Sequence, residues 1–252
     1  MTRAAAISRN DGSELSPWVR LWLPLGLVAA VYGAFFSLAR PAYEYWFERE
    51  LGVVELATPL ILVFAIVYGV RAFRRRKGLP TAWLGYWLLL VTAGCVYFAG
   101  EDLSWGQHLA GWETPERLKD INDQQETNIH NISSWFDQKP RLLLELWVVI
   151  GGILVAGWRR WRGEIFARDG WAYWFWPGFA CFPAALLALL VKLPERIKTV
   201  FDIASLPTDL RYSELQELMF AVFLLCYLAS NYRRLQAVAI TQPGAGDSVK
   251  KA

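Results

Sequence analysis

Two Glu–His pairs stand at helical spacing in one polar segment of the chain. Glu101 precedes His108 by seven residues and Glu126 precedes His130 by four, and the protein has only 2 histidines. If the helix that leads into Gly100 continues beyond it, Glu101 and His108 lie on one face. Imidazole and carboxylate together form a ligand set that Zn, Fe or Mn accepts. The four side chains therefore predict a shared divalent metal site.

The same segment supplies groups for the other steps of a hydrolytic or transfer reaction. Asp102 and Asp123 are carboxylates beside the predicted ligands, and either is a candidate general base. Gln107, Asn128 and Asn131 carry amides that would orient a substrate by hydrogen bonds. We expect these residues to surround the metal site.

The segment has the pattern of a folded loop. Thr114, Pro115 and Glu116 have the order typical of a helix start, with a capping side chain, proline at the first helical position and acid in the first turn. From residue 122 to residue 137, polar residues follow one helical stripe and apolar residues follow the next. An amphipathic helix is predicted here, with its polar side carrying Glu126 and His130.

The surrounding chain is too apolar for a soluble domain of this size. Hydrophobic residues make up 55% of the 252 residues, and 14 are tryptophans. Six segments are long enough, at roughly 17–25 residues each, to cross a bilayer as helices. They are Leu21–Ala39, Val53–Phe73, Ala82–Ala99, Leu142–Trp158, Trp171–Val191 and Leu215–Ser230. The predicted fold is an all-α, polytopic helical bundle with six transmembrane helices and a helical external loop, 101–140.

The distribution of charge predicts the orientation of this bundle. With the N-terminus inside, the inner segments hold 16 of the 26 Lys and Arg residues but only 5 of the 23 Asp and Glu residues. Basic residues near span ends favour the cytoplasmic side. We expect residues 1–20 to be a cytoplasmic lead, 21–230 the six-span membrane domain and 231–252 a cytoplasmic tail. Loop 101–140 would then face the extracytoplasmic side.

Three local patterns in the spans carry further expectations. Pro177 and Pro183 should kink the fifth span and free backbone carbonyls. The order Ser-Glu-Leu-Gln at Ser213–Gln216 is that of a capping box, which would account for part of the acidic character there. Glu55 and Glu145 lie within predicted spans, where ionisable residues are costly and mark function. We expect one of them to approach the metal site.

The stretches "EDLSWGQHLAGWETPE" and "INDQQETNIHN" resemble a pattern of uncharacterised bacterial polytopic membrane proteins. That pattern has three parts in order: E-[ED]-x-S-W-G-Q, then T-P-E, then N-x-Q-x-E-x-N-x-H-N. The resemblance covers about thirty residues, from Glu101 to Asn131, and no activity is established for that family. It implies a bacterial inner-membrane location and draws attention to the same loop.

Several chemistries do not fit the sequence. It has no HExxH motif, no Walker loop and no G-x-S-x-G elbow, and "DINDQQETNIHN" lacks the glycine and the final glutamate of a calcium loop. Nucleic-acid binding is not indicated, because membrane topology explains the basic clusters.

Two classes of function remain. The first is a membrane-interface, metal-dependent hydrolase or transferase that acts on a lipid or lipid-linked substrate. The second is a non-catalytic subunit of a membrane complex, with loop 101–140 as its docking surface for other membrane subunits. Membrane lipid is an expected partner in both.

Overall fold

The structure is a computed structural model that describes residues 15–49, 51–107, 112, 134–163, 166–206, 208 and 210–241. All regular elements within these ranges are helices. The α-helices are α1 (Leu23–Ser37), α2 (Arg40–Tyr43), α3 (Val53–Arg74), α4 (Ala82–Asp102), α5 (Ser134–Trp147), α6 (Ala156–Arg162), α7 (Trp171–Phe175), α8 (Phe182–Val200) and α9 (Tyr212–Thr241). Short π-type or 3-10 segments extend or join them: Trp18–Trp22, Glu44–Glu48, Arg76–Gly78, Ser104–Gly106, Val148–Val155 and Phe179–Cys181.

Six helical segments of the described chain are long and apolar enough to cross a membrane. They are Trp18–Ser37, Arg40–Arg74, Ala82–Asp102, Lys139–Arg162, Trp171–Val200 and Tyr212–Ile240. Each overlaps one of the six spans predicted from the sequence. For the described residues, the predictions of an all-helical fold and of six helices able to cross a membrane are therefore confirmed, although several helices extend beyond the apolar cores used to predict them.

Helix α9 forms the centre of the bundle. In its most apolar stretch 83% of the residues are buried, whereas the corresponding value for the first span is 11%. It packs against α3 and α8, and α3 also packs against α4. Phe220, Phe223 and Tyr227 are among its fully buried side chains. A helix that is apolar on every side is expected at such a position, because it meets protein on every side.

The fifth span is interrupted within its apolar stretch. Helix α7 ends at Phe175, residues 176–178 are not helical, and α8 begins only at Phe182. The predicted kink at Pro177 is thus a full break, and it does free carbonyls. The Tyr227 hydroxyl lies 3.0 Å from the carbonyl oxygen of Trp174, and Arg234 donates to that of Tyr173 at 2.6 Å.

The fourth span is itself irregular where it packs against this break. Between α5 and α6 the chain adopts wide π-type turns over Val148–Val155, and Gly151 and Gly152 lie in this segment. A Cβ on Gly151 would stand 2.9 Å from Cδ of Pro177, and one on Gly152 would stand 2.7 Å from Cε2 of Phe223. Irregular backbone at membrane depth is tolerated where protein covers it, and here two irregular segments cover each other.

The two ends of the bundle differ in charge. At the acidic end, Arg211 just before α9 donates to the carbonyl oxygen of Glu48 just before α3, at 3.0 Å. At the opposite, basic end, Gly78 between α3 and α4 lies against Leu235 of α9. The acidic end carries Glu55, Glu101, Asp102, Glu145, Glu214 and Glu217, and the basic end carries Arg71, Arg74, Arg75, Arg76, Lys77, Arg159, Arg160, Arg162, Arg233 and Arg234.

Candidate functional site

Helix α4 ends at Asp102, immediately after the first predicted ligand. Ser104, Trp105 and Gly106 have positive φ angles of 46°, 53° and 93°. L-residues rarely adopt this left-handed backbone, so the chain turns sharply out of the helix. Helix α4 therefore does not continue through this turn, and the condition under which helical spacing places Glu101 and His108 on one face is not met.

The turn folds Trp105 back onto the end of α4. Its ring covers Gly100, where a Cβ would stand 2.9 Å from the ring carbons. Its indole Nε1 donates a hydrogen bond of 2.7 Å to Oε1 of Glu101, whose side chain is buried. Glycine at position 100 and tryptophan at position 105 thus hold the Glu101 carboxylate in place.

Asp102 lies among carboxylates from two other helices. It interacts electrostatically with Glu55 of α3 and with Glu214 and Glu217 of α9. Glu214 in turn interacts with Glu55 and Glu217. We call these four residues the acidic cluster. Helices α3 and α4, and the distant helix α9, bring it together at the point where the chain leaves α4.

Each carboxylate of the acidic cluster on α3 or α9 also contacts a nearby donor. Glu55 accepts a hydrogen bond of 2.8 Å from the backbone N–H of Leu51, whose φ of 61° marks a tight turn. Arg211 pairs with Glu214 at 2.6 Å, and Arg141 of α5 pairs with Glu217 at 2.7 Å. The two guanidinium groups thus stand beside an acidic cluster of four side chains.

Gln216 joins this group through Arg141. Its Oε1 accepts a hydrogen bond of 3.2 Å from Arg141 Nη2, which fixes the orientation of the amide. Gln216 is 1% exposed, and its Nε2 has no hydrogen-bond partner among the described residues. Oε2 of Glu214 is likewise buried without such a partner.

The capping box expected at Ser213–Gln216 does not form. Helix α9 starts at Tyr212, so Ser213 lies within its first turn and cannot serve as the N-cap. Ser213 contacts Nζ of Lys192 instead, and Gln216 binds Arg141. Contacts with α8 and α5 therefore replace the hydrogen bonds of a local cap, and Gln216 lies beside Arg141.

Glu55 and Glu145 have different surroundings. Glu55 belongs to the acidic cluster, as expected for a carboxylate near the predicted site. Glu145 forms an ion pair with Arg196 of α8. That pair joins the fourth and fifth spans, so its role in the described structure is structural.

The remaining predicted site residues lie outside the described residues. These are Asp123, Glu126, Asn128, His130, Asn131 and His108. Gln107 is described and half-buried directly after the turn. Within the described ranges, no three His, Cys, Asp or Glu side chains have the spacing of a metal site. Convergence of the four predicted ligands stays a prediction.

Arg141, Gln216 and Trp105 are the site residues that the sequence analysis did not identify. Arg141 carried a usable signal, because it is a basic residue near a span end on the side that carries most of the acidic residues. Lys192, Arg196 and Arg211 also lie near span ends on that side, and each forms an ion pair at the acidic end. Gln216 had no such signal, since only its contact with Arg141 distinguishes it.

Comparison with known proteins returns no match: no protein-family model, no curated protein and no solved structure matches the sequence.

Proposed function

We propose that the protein is a multi-pass enzyme of the bacterial inner membrane, a metal-dependent hydrolase or transferase for a lipid or lipid-linked substrate. The observation that supports this proposal is the position of the acidic cluster. Carboxylates of α3, α4 and α9 meet at the end of α4, directly before the segment with both histidines. Ionisable side chains that membrane helices bury or bring together are functional candidates.

Each predicted residue has a role in this proposal. Glu101, His108, Glu126 and His130 would hold the divalent ion, and carboxylate and imidazole suit Zn, Fe or Mn. The ion would supply Lewis acidity and activate water. Asp102 or Asp123 accepts the proton, while Gln107, Asn128 and Asn131 orient the substrate. Trp105 positions the Glu101 carboxylate through its hydrogen bond.

Metal content and turnover of the detergent-purified protein test this proposal. We expect about one equivalent of a transition metal per chain, and cleavage or transfer on a bacterial lipid extract that a chelator abolishes. His130→Ala and Glu126→Ala should each remove metal and activity at normal membrane abundance. Of Asp102→Asn and Asp123→Asn, the variant that removes the general base should lose activity while the metal is retained.

Ser134→Ala is the matched control, because the sequence pattern places residue 134 outside the polar stripe, and we expect it to be nearly silent. Full activity of His130→Ala would contradict the metal site. Purification of a metal-free protein with a stoichiometric partner would instead support the docking subunit.

A further inference from the structure

The turn between α3 and α4 concentrates positive charge at the basic end of the bundle. Helix α3 ends at Arg74 and α4 begins at Ala82, with the 3-10 turn Arg76–Gly78 between them. Five exposed basic side chains lie within residues 71–77: Arg71, Arg74, Arg75, Arg76 and Lys77. We call these five residues the basic turn.

The charge of the basic turn is not neutralised within the described structure. Among the residues that the structure describes, no Asp or Glu pairs with any of its five side chains. The acidic end differs, because five of its basic residues pair with glutamates: Arg40, Arg141, Lys192, Arg196 and Arg211. The basic turn therefore presents a net positive surface.

Aromatic contacts hold two guanidinium groups of the basic turn in place. The guanidinium carbon of Arg75 lies 5.4 Å from the ring centroid of Tyr232 of α9, and that of Arg76 lies 4.3 Å from the ring centroid of Phe73. The stem of Arg76 also lies against Gly85 of α4, where a Cβ would stand 3.2 Å from Arg76 Cβ. These contacts orient the two groups before any ligand binds, which lowers the entropy cost of binding.

Exposed tryptophans lie beside the basic turn. Trp83 in the first turn of α4 is 43% exposed, Trp171 in the first turn of α7 is 51% exposed, and their ring centroids are 6.1 Å apart. Tryptophan side chains favour the depth of the lipid headgroups. Lys77 precedes Trp83 by six residues, so the basic turn lies near the level of the headgroups on that side.

Anionic phospholipids match this surface in charge and in position. Phosphodiester oxygens accept hydrogen bonds from Arg and Lys, and clusters of basic residues immediately beyond a membrane helix attract anionic lipid. The acyl chains hold such a headgroup in the layer that Trp83 and Trp171 favour. A zwitterionic phospholipid carries the same phosphate, but its ammonium group has the same sign of charge as the basic turn.

We propose that the basic turn binds anionic phospholipid headgroups of the leaflet at the basic end of the bundle. This lipid is a bound partner at the end opposite to the acidic cluster, so the inference does not depend on the proposed enzyme. The same residues thus favour the cytoplasmic side during insertion and bind lipid in the folded protein.

Lipid retention measured by native mass spectrometry tests this inference. The purified full-length protein is mixed with equal amounts of phosphatidylglycerol and phosphatidylcholine, and bound lipid is counted. We expect phosphatidylglycerol to be retained about tenfold or more over phosphatidylcholine, since each Lys or Arg at a membrane surface contributes about fivefold. The preference should fall as ammonium acetate rises from about 0.05 M to about 0.5 M, because salt screens exposed charges.

Two double variants locate the binding surface. Arg74→Gln with Lys77→Gln should lower the preference about tenfold or more. Arg160→Gln with Arg162→Gln is the matched control, because it removes two exposed cations of the basic end outside the basic turn. The control should lower the preference less than about twofold, since solvent and salt screen charges that do not touch the headgroup. All four side chains are exposed, so unchanged melting temperatures should show that both variants fold.

Equal retention of the two lipids, or a preference that salt does not change, would overturn the inference. The salt series uses the unmodified protein, so its result stands even where a variant fails to fold. An equal loss of preference in both double variants would assign lipid binding to the whole basic end and contradict the basic turn as its surface. Strong competition by soluble glycerophosphoglycerol at the same concentration would assign the turn to a free anion and contradict a lipid partner.

Discussion

At the scale of single residues, one tyrosine connects three parts of the membrane interior. The Tyr227 hydroxyl accepts a hydrogen bond from Trp87 Nε1 at 2.8 Å, and it lies 3.0 and 3.1 Å from the carbonyl oxygens of Trp174 and Phe175. The O–H of Tyr227 thus supplies a donor to carbonyls that the broken fifth span has freed, while its oxygen accepts from Trp87 of α4. Burial makes that replacement necessary, since water does not reach these groups.

Tyr227→Phe should therefore destabilise the protein. The change leaves the Trp87 indole N–H and two carbonyls without this partner, at a cost of about 1–3 kcal/mol. Thermal unfolding in detergent measures the effect. Tyr86→Phe is the matched control, because Tyr86 is 69% exposed and its hydroxyl lies at the surface. Equal melting temperatures for the two variants would show that the hydroxyl of Tyr227 is dispensable.

At the scale of elements, the close approach of the fourth span to its neighbours depends on glycine. The π-type segment Val148–Val155 presents Gly152 to both α8 and α9, where a Cβ would stand 2.8 Å from Ala185 Cβ and 2.7 Å from Phe223 Cε2. Small residues allow helix backbones to approach closely in membranes. The π-type turns and the pair Gly151 and Gly152 together allow the fourth span to pack closely against the interrupted fifth span.

Gly152→Ala should lower stability by about 1–3 kcal/mol, because the methyl group has no space without movement of α8 or α9. Gly94→Ala serves as the control. Gly94 also lies within a helix, but no heavy atom stands within 4 Å of a Cβ placed there. The control should be neutral or stabilised by up to about 1 kcal/mol, since alanine favours helix more than glycine does. Unfolding of both variants in the same detergent compares them directly, and a Gly152→Ala variant as stable as Gly94→Ala would contradict the packing argument.

At the scale of the whole molecule, charge divides the bundle into two ends. The basic end collects the arginines of α3, α6 and α9, and the acidic end collects the carboxylates of α3, α4, α5 and α9. Membrane insertion favours basic segments on the cytoplasmic side. We therefore expect the acidic cluster to face the extracytoplasmic side.

Reporter fusions test this orientation. Fusions after Lys77 and after Asp137 should report opposite sides of the membrane, with Lys77 in the cytoplasm, because α4 alone crosses between them among the described helices. An alkaline phosphatase and a fluorescent-protein reporter at each position provide complementary signals. Cytoplasmic signals from both positions would contradict the six-span topology and remove the argument for an external site.

The sequence by itself determined the features that depend on local composition. Six apolar stretches predict six membrane helices because unpaired backbone groups are too costly in lipid for any other spanning structure. Pro177 predicted the interruption of the fifth span because proline lacks the N–H that a continuous helix needs. Glu55 was identified as a functional candidate from its place in a span, and the structure puts it beside Asp102.

Only the tertiary structure decided how the helix ends meet. The spacing of Glu101 and His108 indicated one helix, yet three residues with positive φ end it, since Trp105 packs on Gly100 and bonds Glu101. The pattern at Ser213–Gln216 indicated a local cap, yet Ser213 contacts Lys192 of α8 and Gln216 accepts a hydrogen bond from Arg141 of α5. Local patterns specify a helix through neighbouring residues, whereas a site at the end of a bundle depends on contacts between segments far apart in the chain, such as Arg141 with Gln216.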